Sequence, residues 1–283
     1  MKTILIPVDF SPQSYHAACF GLELAVKLGM SLSLLHIATP LRSAPVQSAP
    51  VGGTGLSKSC LYAELTTEFQ VFEGELKEYQ REEGLEGVEI SSRIVAGQPT
   101  DSILEIARTE KPAFVVMGTV VMSGPGASLS RYVASYVAQE ITRPLWILPG
   151  AVRLHSLRNF TYFAELVGKE VGCIDQAVDL GERLRAKLSV KPLPSGDEED
   201  FLEAQSVTEI FEFSYVNKRV TFRNLMHETM GEGMEAHIRM HGPDAVVLSH
   251  RKRGMIEKFF HRSTVGQLPL TSRRPLLIVQ KRA

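Results

Sequence analysis

The chain has 283 residues, 44% of them hydrophobic and 22% charged, with a formal net charge of -1. That length exceeds the usual single domain, and the composition is that of a globular protein with real cores, which excludes a disordered chain. The near-neutral balance lacks the basic excess of a dedicated nucleic-acid binder, while small anions stay open as ligands.

The opening MKTILIPVDFSP has a short apolar run that Pro7 and Asp9 interrupt, so neither a signal peptide nor a membrane span is expected there. TILIPVD predicts a first strand. Ser11 is placed to cap a helix with Pro12 at its first position, and Gly29 is placed to stop it. SLSLLHIA reads as a second strand, and Thr39 to Ser59, rich in Pro, Gly and Ser, reads as a long mobile surface loop. A helix from about Cys60 to Glu82, the strand VEISSRIV, a helix from Thr100 to Thr109, the strand AFVVMG, a helix from near Ser128 to Ile141 and the strand PLWIL complete the first half. Strands alternating with helices predict a doubly wound α/β architecture with parallel sheets and helices on both faces.

The second half repeats this pattern. An offset of 131 places PAFVVMGT (112–119) on PDAVVLSH (243–250) and RPLWIL (143–148) on RPLLIV (274–279) without a gap. Nearer the start an offset of 156 places IPVDF on YFAEL and LAVKLGMSLS on LGERLRAKLS. The second copy is therefore shorter in its middle, where the first has its long loop and second helix. Two domains follow, 1–150 and 151–283, with PGAVRLHSLRN (149–159) as the linker.

Three cysteines, Cys19, Cys60 and Cys173, are odd in number and fit neither a disulfide framework nor a zinc site, which suits a reducing cytoplasm. Cys19 lies in a helical apolar pattern and is read as a buried, inert thiol. His237 and His241 stand four residues apart, a spacing that can offer two imidazoles to zinc, but no H-E-x-x-H glutamate accompanies them. They are read as residues of an ordinary exposed helix, and His16, His36 and His155 as packing or surface residues. The acidic stretches EGELKEYQREEGLEG and GDEED read as solubilising. No nucleophile elbow, P-loop or Rossmann glycine pattern is present, so no catalytic residues and no metal ligands are assigned.

ILIPVDFS, AGQPTDSILEIA, and FVVMGT followed by a loop, a helix and RPLWILP together resemble the universal stress protein domain, and the two copies resemble a tandem universal stress protein. The resemblance implies an adenine nucleotide alpha hydrolase-like fold, with five-stranded parallel sheets of order 3-2-1-4-5. It also implies pairing through the last strands, PLWIL and PLLIV, in an intramolecular pseudo-dimer; a homodimer of whole chains is a further possibility. In the family's nucleotide-binding branch it implies an ATP cradle, G-x2-G-x9-G-[ST], after the fourth strand. There glycines let backbone N–H groups approach phosphate, and a helix start favours the anion.

On that pattern Gly118 fills the first glycine position, but Val121, Arg131 and Tyr132 occupy the others. Gly124 and Gly126 are in the same loop but off the motif. In the second half Ser249, Lys252 and Arg262 replace the glycines and Ser263 keeps the hydroxyl. Arg251, Lys252, Arg253, Lys258 and Arg262 make that loop basic, either as a solvated face or as a side-chain phosphate contact. Asp9 matches the family's adenosine-facing aspartate and is equally suited to accept hydrogen bonds at a helix start; Glu165 is its counterpart. The expectation is a non-enzymatic stress-response protein acting by binding and association, with degenerate nucleotide sites. An ATP or AMP sensor is the alternative, and a slow ATPase a weaker one.

Overall fold

A computed structural model of the chain describes residues 2–39, 58–119, 125–164, 170–192, 208–223, 230–250 and 274–280. Residues 40–57 of the expected loop lie outside these, and Lys58 and Ser59 already belong to a helix.

The first half runs β1 (Thr3–Val8), α1 (Pro12–Leu28), β2 (Ser31–Ala38), α2 (Lys58–Glu82), β3 (Ile90–Ala96), α3 (Pro99–Glu110), β4 (Phe114–Gly118), α4 (Pro125–Glu140) and β5 (Leu145–Leu148). The caps of α1 follow from local chemistry. Ser11 Oγ accepts from the Ser14 N–H at 3.2 Å, while Gly29 adopts a left-handed φ of 65° that lets its N–H and that of Met30 reach the last carbonyls. Helix α4 starts at Pro125, earlier than the expected Ser128, because proline at the first helical position has no N–H to leave unpaired.

The second half runs β6 (Asn159–Ala164), α5 (Val171–Leu184), β7 (Lys187–Pro192), a helical stretch α6 (208–214), β8 (Val220–Phe222), α7 (Met230–His241), β9 (Ala245–Ser249) and β10 (Leu276–Val279). The offset of 156 carries β1 onto β6, and the offset of 131 carries α3, β4 and β5 onto α7, β9 and β10. The shortfall falls where expected, between β7 and β8.

The ten strands among the described residues form one sheet of order β3-β2-β1-β4-β5-β10-β9-β6-β7-β8. Within each half the neighbours are parallel and the order is 3-2-1-4-5. The halves meet where β5 and β10 pair antiparallel, with Leu276 opposite Ile147, Leu277 opposite Trp146 and Ile278 opposite Leu145. Two last strands with unpaired edges satisfy one another there. One core lies under α1, α2 and α5, the other under α3, α4 and α7, and both run unbroken across this seam.

Side chains reinforce the seam. Trp146 is fully buried and meets Phe20 of α1 and Phe160 of β6 edge to face at 5.3 and 5.9 Å. Gln280 Nε2 donates to the carbonyl of Ile141 at 2.9 Å, and Arg183 donates to the carbonyl of Leu28 at 3.0 Å. The buried carboxylate of Glu23 accepts from the Leu154 N–H at 2.6 Å and lies 2.7 Å from Arg153 Nε, which fastens the linker onto α1.

Candidate functional site

At the carboxyl ends of β1, β2 and β4 the first half opens a cleft of about 190 Å³. Asp9, Ser14, His36, Ile103, Gly118 and Val133 are among its walls. The position follows from the topology: in a doubly wound sheet the crevice opens where the chain leaves β1 and β4 in opposite directions.

Asp9 is exposed at the end of β1. Its Oδ1 accepts from the Ser11 N–H at 3.2 Å and from the Ser11 hydroxyl, and its own N–H donates to Ser14 Oγ at 3.4 Å. The carboxylate thus holds the start of α1, one of the two roles its sequence position allows. Phe10 follows with φ of 60°, a left-handed conformation costly for a residue with a side chain. That turn lays its ring on His36 at 4.4 Å and edge-on to Phe69 and Phe72. His36 Nδ1 lies 2.9 Å from the Val8 carbonyl. His36 packs as expected and also lines the cleft, because the β1–β2 register sets it opposite Val8 at the end of β1.

Gly118, at the first glycine position of the family pattern, is not among the glycines with positive φ; it is needed for close packing. A Cβ built on it would stand 2.2 Å from the Gln13 carbonyl oxygen, so the start of α1 packs directly on its backbone. The next residue, Thr119, is buried, and its hydroxyl has no hydrogen-bond partner among the described residues.

Of the remaining expected site residues, Gly126 lies in the first turn of α4. Arg131 is half-buried further along the same helix, and the exposed ring of Tyr132 pairs with Tyr136. Neither Arg131 nor Gly126 is among the described walls of the cleft. Val121, Gly124, Glu165, Arg251, Lys252, Arg253, Lys258, Arg262 and Ser263 lie outside the described residues.

The equivalent crevice of the second half is built differently. Ser249, at the Gly118 position, is fully buried and donates to Glu170 Oε1 at 2.8 Å; the Tyr162 hydroxyl donates to Glu170 Oε2 at 3.4 Å. Glu170 immediately precedes α5, so protein side chains meet where the first half presents bare backbone. Burial, with Glu170 and Cys173 close by, holds the Tyr162 hydroxyl well above the ordinary tyrosine range.

Two further expectations meet the structure. Cys19 is buried in α1 and its thiol is pushed up to about 12, mainly by burial, which makes it the inert thiol expected. His237 departs from the exposed helix expected for it. It is 6% exposed, its Nε2 lies 3.4 Å from Thr161 Oγ1, and its ring stands 4.4 Å from that of His241. Among the described residues no group of three or more His, Cys, Asp or Glu could hold a metal ion, and no helix is long and apolar enough to cross a membrane.

The strand order and the crevice at the strand ends are those of a doubly wound α/β protein with a parallel sheet in each half. A sequence profile described as the universal stress protein family matches residues 1–149, and the chain belongs to that family. A universal stress protein from Archaeoglobus fulgidus DSM 4304 is similar in structure over 99% of this chain and 96% of its own, with TM-score 0.70 and 14% identity. A protein of unknown function from Pseudomonas aeruginosa PAO1 is similar over 99% and 93%, with TM-score 0.58 and 13% identity. The cytoplasmic domain of a prokaryotic cation chloride cotransporter is similar over 99% and 96%, with TM-score 0.51 and 12% identity. No curated relative matches the sequence.

Proposed function

We infer that this chain is a non-enzymatic, cytoplasmic stress-response protein that works by binding and association, built as a pseudo-dimer of domains 1–150 and 151–283. Its nucleotide sites are degenerate. The observation that carries this reading is the contrast between a small open crevice in the first half and side chains that fill its equivalent in the second. The first offers about 190 Å³, below the several hundred Å³ typical of pockets that enclose a drug-sized ligand, and the second is occupied by Glu170, Ser249 and Tyr162. The motif positions agree, since Val121, Arg131 and Tyr132 replace two glycines and a small hydroxyl residue.

A second reading, an ATP or AMP sensor using the first half alone, is favoured by one observation: the buried Thr119 hydroxyl beside Gly118, which has no partner among the described residues. A buried polar group without a partner is costly and suits a ligand contact. Titration calorimetry with ATP, ADP and AMP separates the readings. The binding-and-association reading expects no micromolar binding to the first-half crevice. Micromolar binding that Asp9→Ala removes would establish the sensor instead. Turnover of any of these nucleotides, lost on a point substitution, would overturn both.

A further inference from the structure

Strands of a parallel sheet covered on both faces are normally apolar throughout. Strand β7, KLSVKP, alternates instead. Leu188 and Val190 enter the core beneath α5, which leaves Lys187, Ser189 and Lys191 on the opposite face. Thr161 of β6 and Arg223, just past β8, flank them, and His237 and His241 of α7 lie across the top. These groups bound a cavity of about 610 Å³ that runs from the amino ends of β6 and β7 along this face to Lys191 and Arg223.

The first half provides an internal control. By the repeat offsets, Thr161 replaces Leu5, Lys191 replaces Leu35, His237 replaces Ile106 and His241 replaces Glu110. Leu5 and Leu35 belong to the first half's apolar core, with Ile106 packed against it. The strand registers also match Arg223 to Arg93, which sits opposite Leu35. Arg93 is neutralised by Glu110 at 2.7 Å, and that carboxylate is the one the second copy has exchanged for an imidazole. The corresponding first-half cavity measures about 300 Å³. One copy thus keeps a smaller cavity, lined by hydroxyls and by Arg93 with its partner Glu110, and the other has become a cationic hollow about twice as large.

Lys191 is the decisive residue. It is 8% exposed and has no hydrogen bond or ion pair among the described residues, while its charged neighbour Arg223 repels it. A buried ammonium without a counter-charge is costly, and the nearby acids among the described residues are engaged elsewhere. Asp244 accepts from the backbone N–H groups of Arg158 and Asn159, and Glu182 accepts from that of Arg219. Among the described residues no carboxylate lines the cavity, whereas Lys187, Lys218 and Arg219 add cations to its lining. We propose that this cavity binds a small phosphate-bearing anion carrying two or more negative charges, with Lys191 and Arg223 as its central contacts and His237 and Thr161 as hydrogen-bonding partners. Planar guanidinium and point-like ammonium groups together suit tetrahedral phosphate oxygens, and the volume is that of a small-molecule site.

The test is calorimetric titration of the full chain with pyrophosphate at low ionic strength, with the ring-proton resonances of His237 and His241 followed in parallel. Saturable one-to-one binding with shifts of both rings is expected. The key variant is Lys191→Leu, which restores the residue of the first half. It should fold with a thermal midpoint equal to or above that of the parent, and bind pyrophosphate at least tenfold more weakly. Undiminished binding by folded Lys191→Leu, or no saturable binding by the parent, would overturn the proposal. So would loss of binding in Lys252→Ala with Lys191→Leu unaffected, which would put the anion on the second half's basic loop. Citrate binding as tightly as pyrophosphate would overturn the phosphate assignment. None of these outcomes depends on Asp9 or the first-half crevice.

Discussion

The two crevices at the carboxyl ends of the strands began as one design, and a single position shows how they parted. At the end of β4 the chain has Gly118, with the backbone of Gln13 packed against it; at the end of β9 it has Ser249, with a hydroxyl that reaches Glu170. A side chain at Gly118 would collide with α1, while the one at Ser249 is accommodated because α5 begins later, at Val171, with Glu170 just before it. Loss of the glycine and rearrangement of the helix start are therefore coupled changes. The comparison teaches that a crevice at the strand ends of this fold can be filled from within by a strand end and a helix start, with no change in strand order.

The comparison presumes that the halves share one folded unit, and the seam tests that most severely. Trp146→Ala should cost about 4 kcal/mol, as for other large aromatic residues removed from a core. Urea unfolding followed by far-ultraviolet circular dichroism should remain a single transition with a lowered midpoint. Two transitions, only one of them displaced, would show that the halves unfold separately. Gly118→Ala comes next, at about 3 kcal/mol, because its Cβ would meet backbone atoms that cannot rotate away. A loss under about 1 kcal/mol would mean that α1 shifts freely, and the coupling argued above would fail.

Acid sensitivity sharpens the contrast between α3 and α7. Burial, with Lys191 and His241 nearby, pushes the His237 imidazole down from 6.5 to about 4. The unfolded chain takes up this proton first as pH falls, so the stability present above pH 6.5 is lost between 6.5 and 4. That loss is about 2 kcal/mol once partial solvent access is allowed for. His237→Ile, which copies Ile106, should flatten the slope of urea midpoint against pH over that window; an unchanged slope would remove His237 as its source. The smallest effect expected is that of Ser249→Ala, about 1 to 2 kcal/mol, from a buried acceptor on Glu170 deprived of its donor. Thermal unfolding would read it, and a neutral result would show that Glu170 finds another partner.

Local signals carried most of the fold. Ser11, Pro12 and Gly29 bound α1 because capping is decided within a few residues, and PLWIL and PLLIV mark the seam strands because they recur at a fixed offset. What escaped was set by contacts distant in sequence. The constraint on Gly118 comes from Gln13, and His36 enters the cleft because β2 pairs with β1 in the register that sets it opposite Val8. The burial of His237 depends on how α7 lies against β6. HIRMH read alone is compatible with an exposed face, and only comparison with Ile106 in the first copy hints that the position is covered.

Trp146 is the sole tryptophan of the chain, and its indole N–H has no hydrogen-bond partner among the described residues. Held dry between a ring from each half, it makes the chain its own optical gauge. Its emission should be blue while the seam is closed and move to the red when water reaches β5 and β10. A stopped-flow trace at that wavelength would time the parting of the two halves without any label.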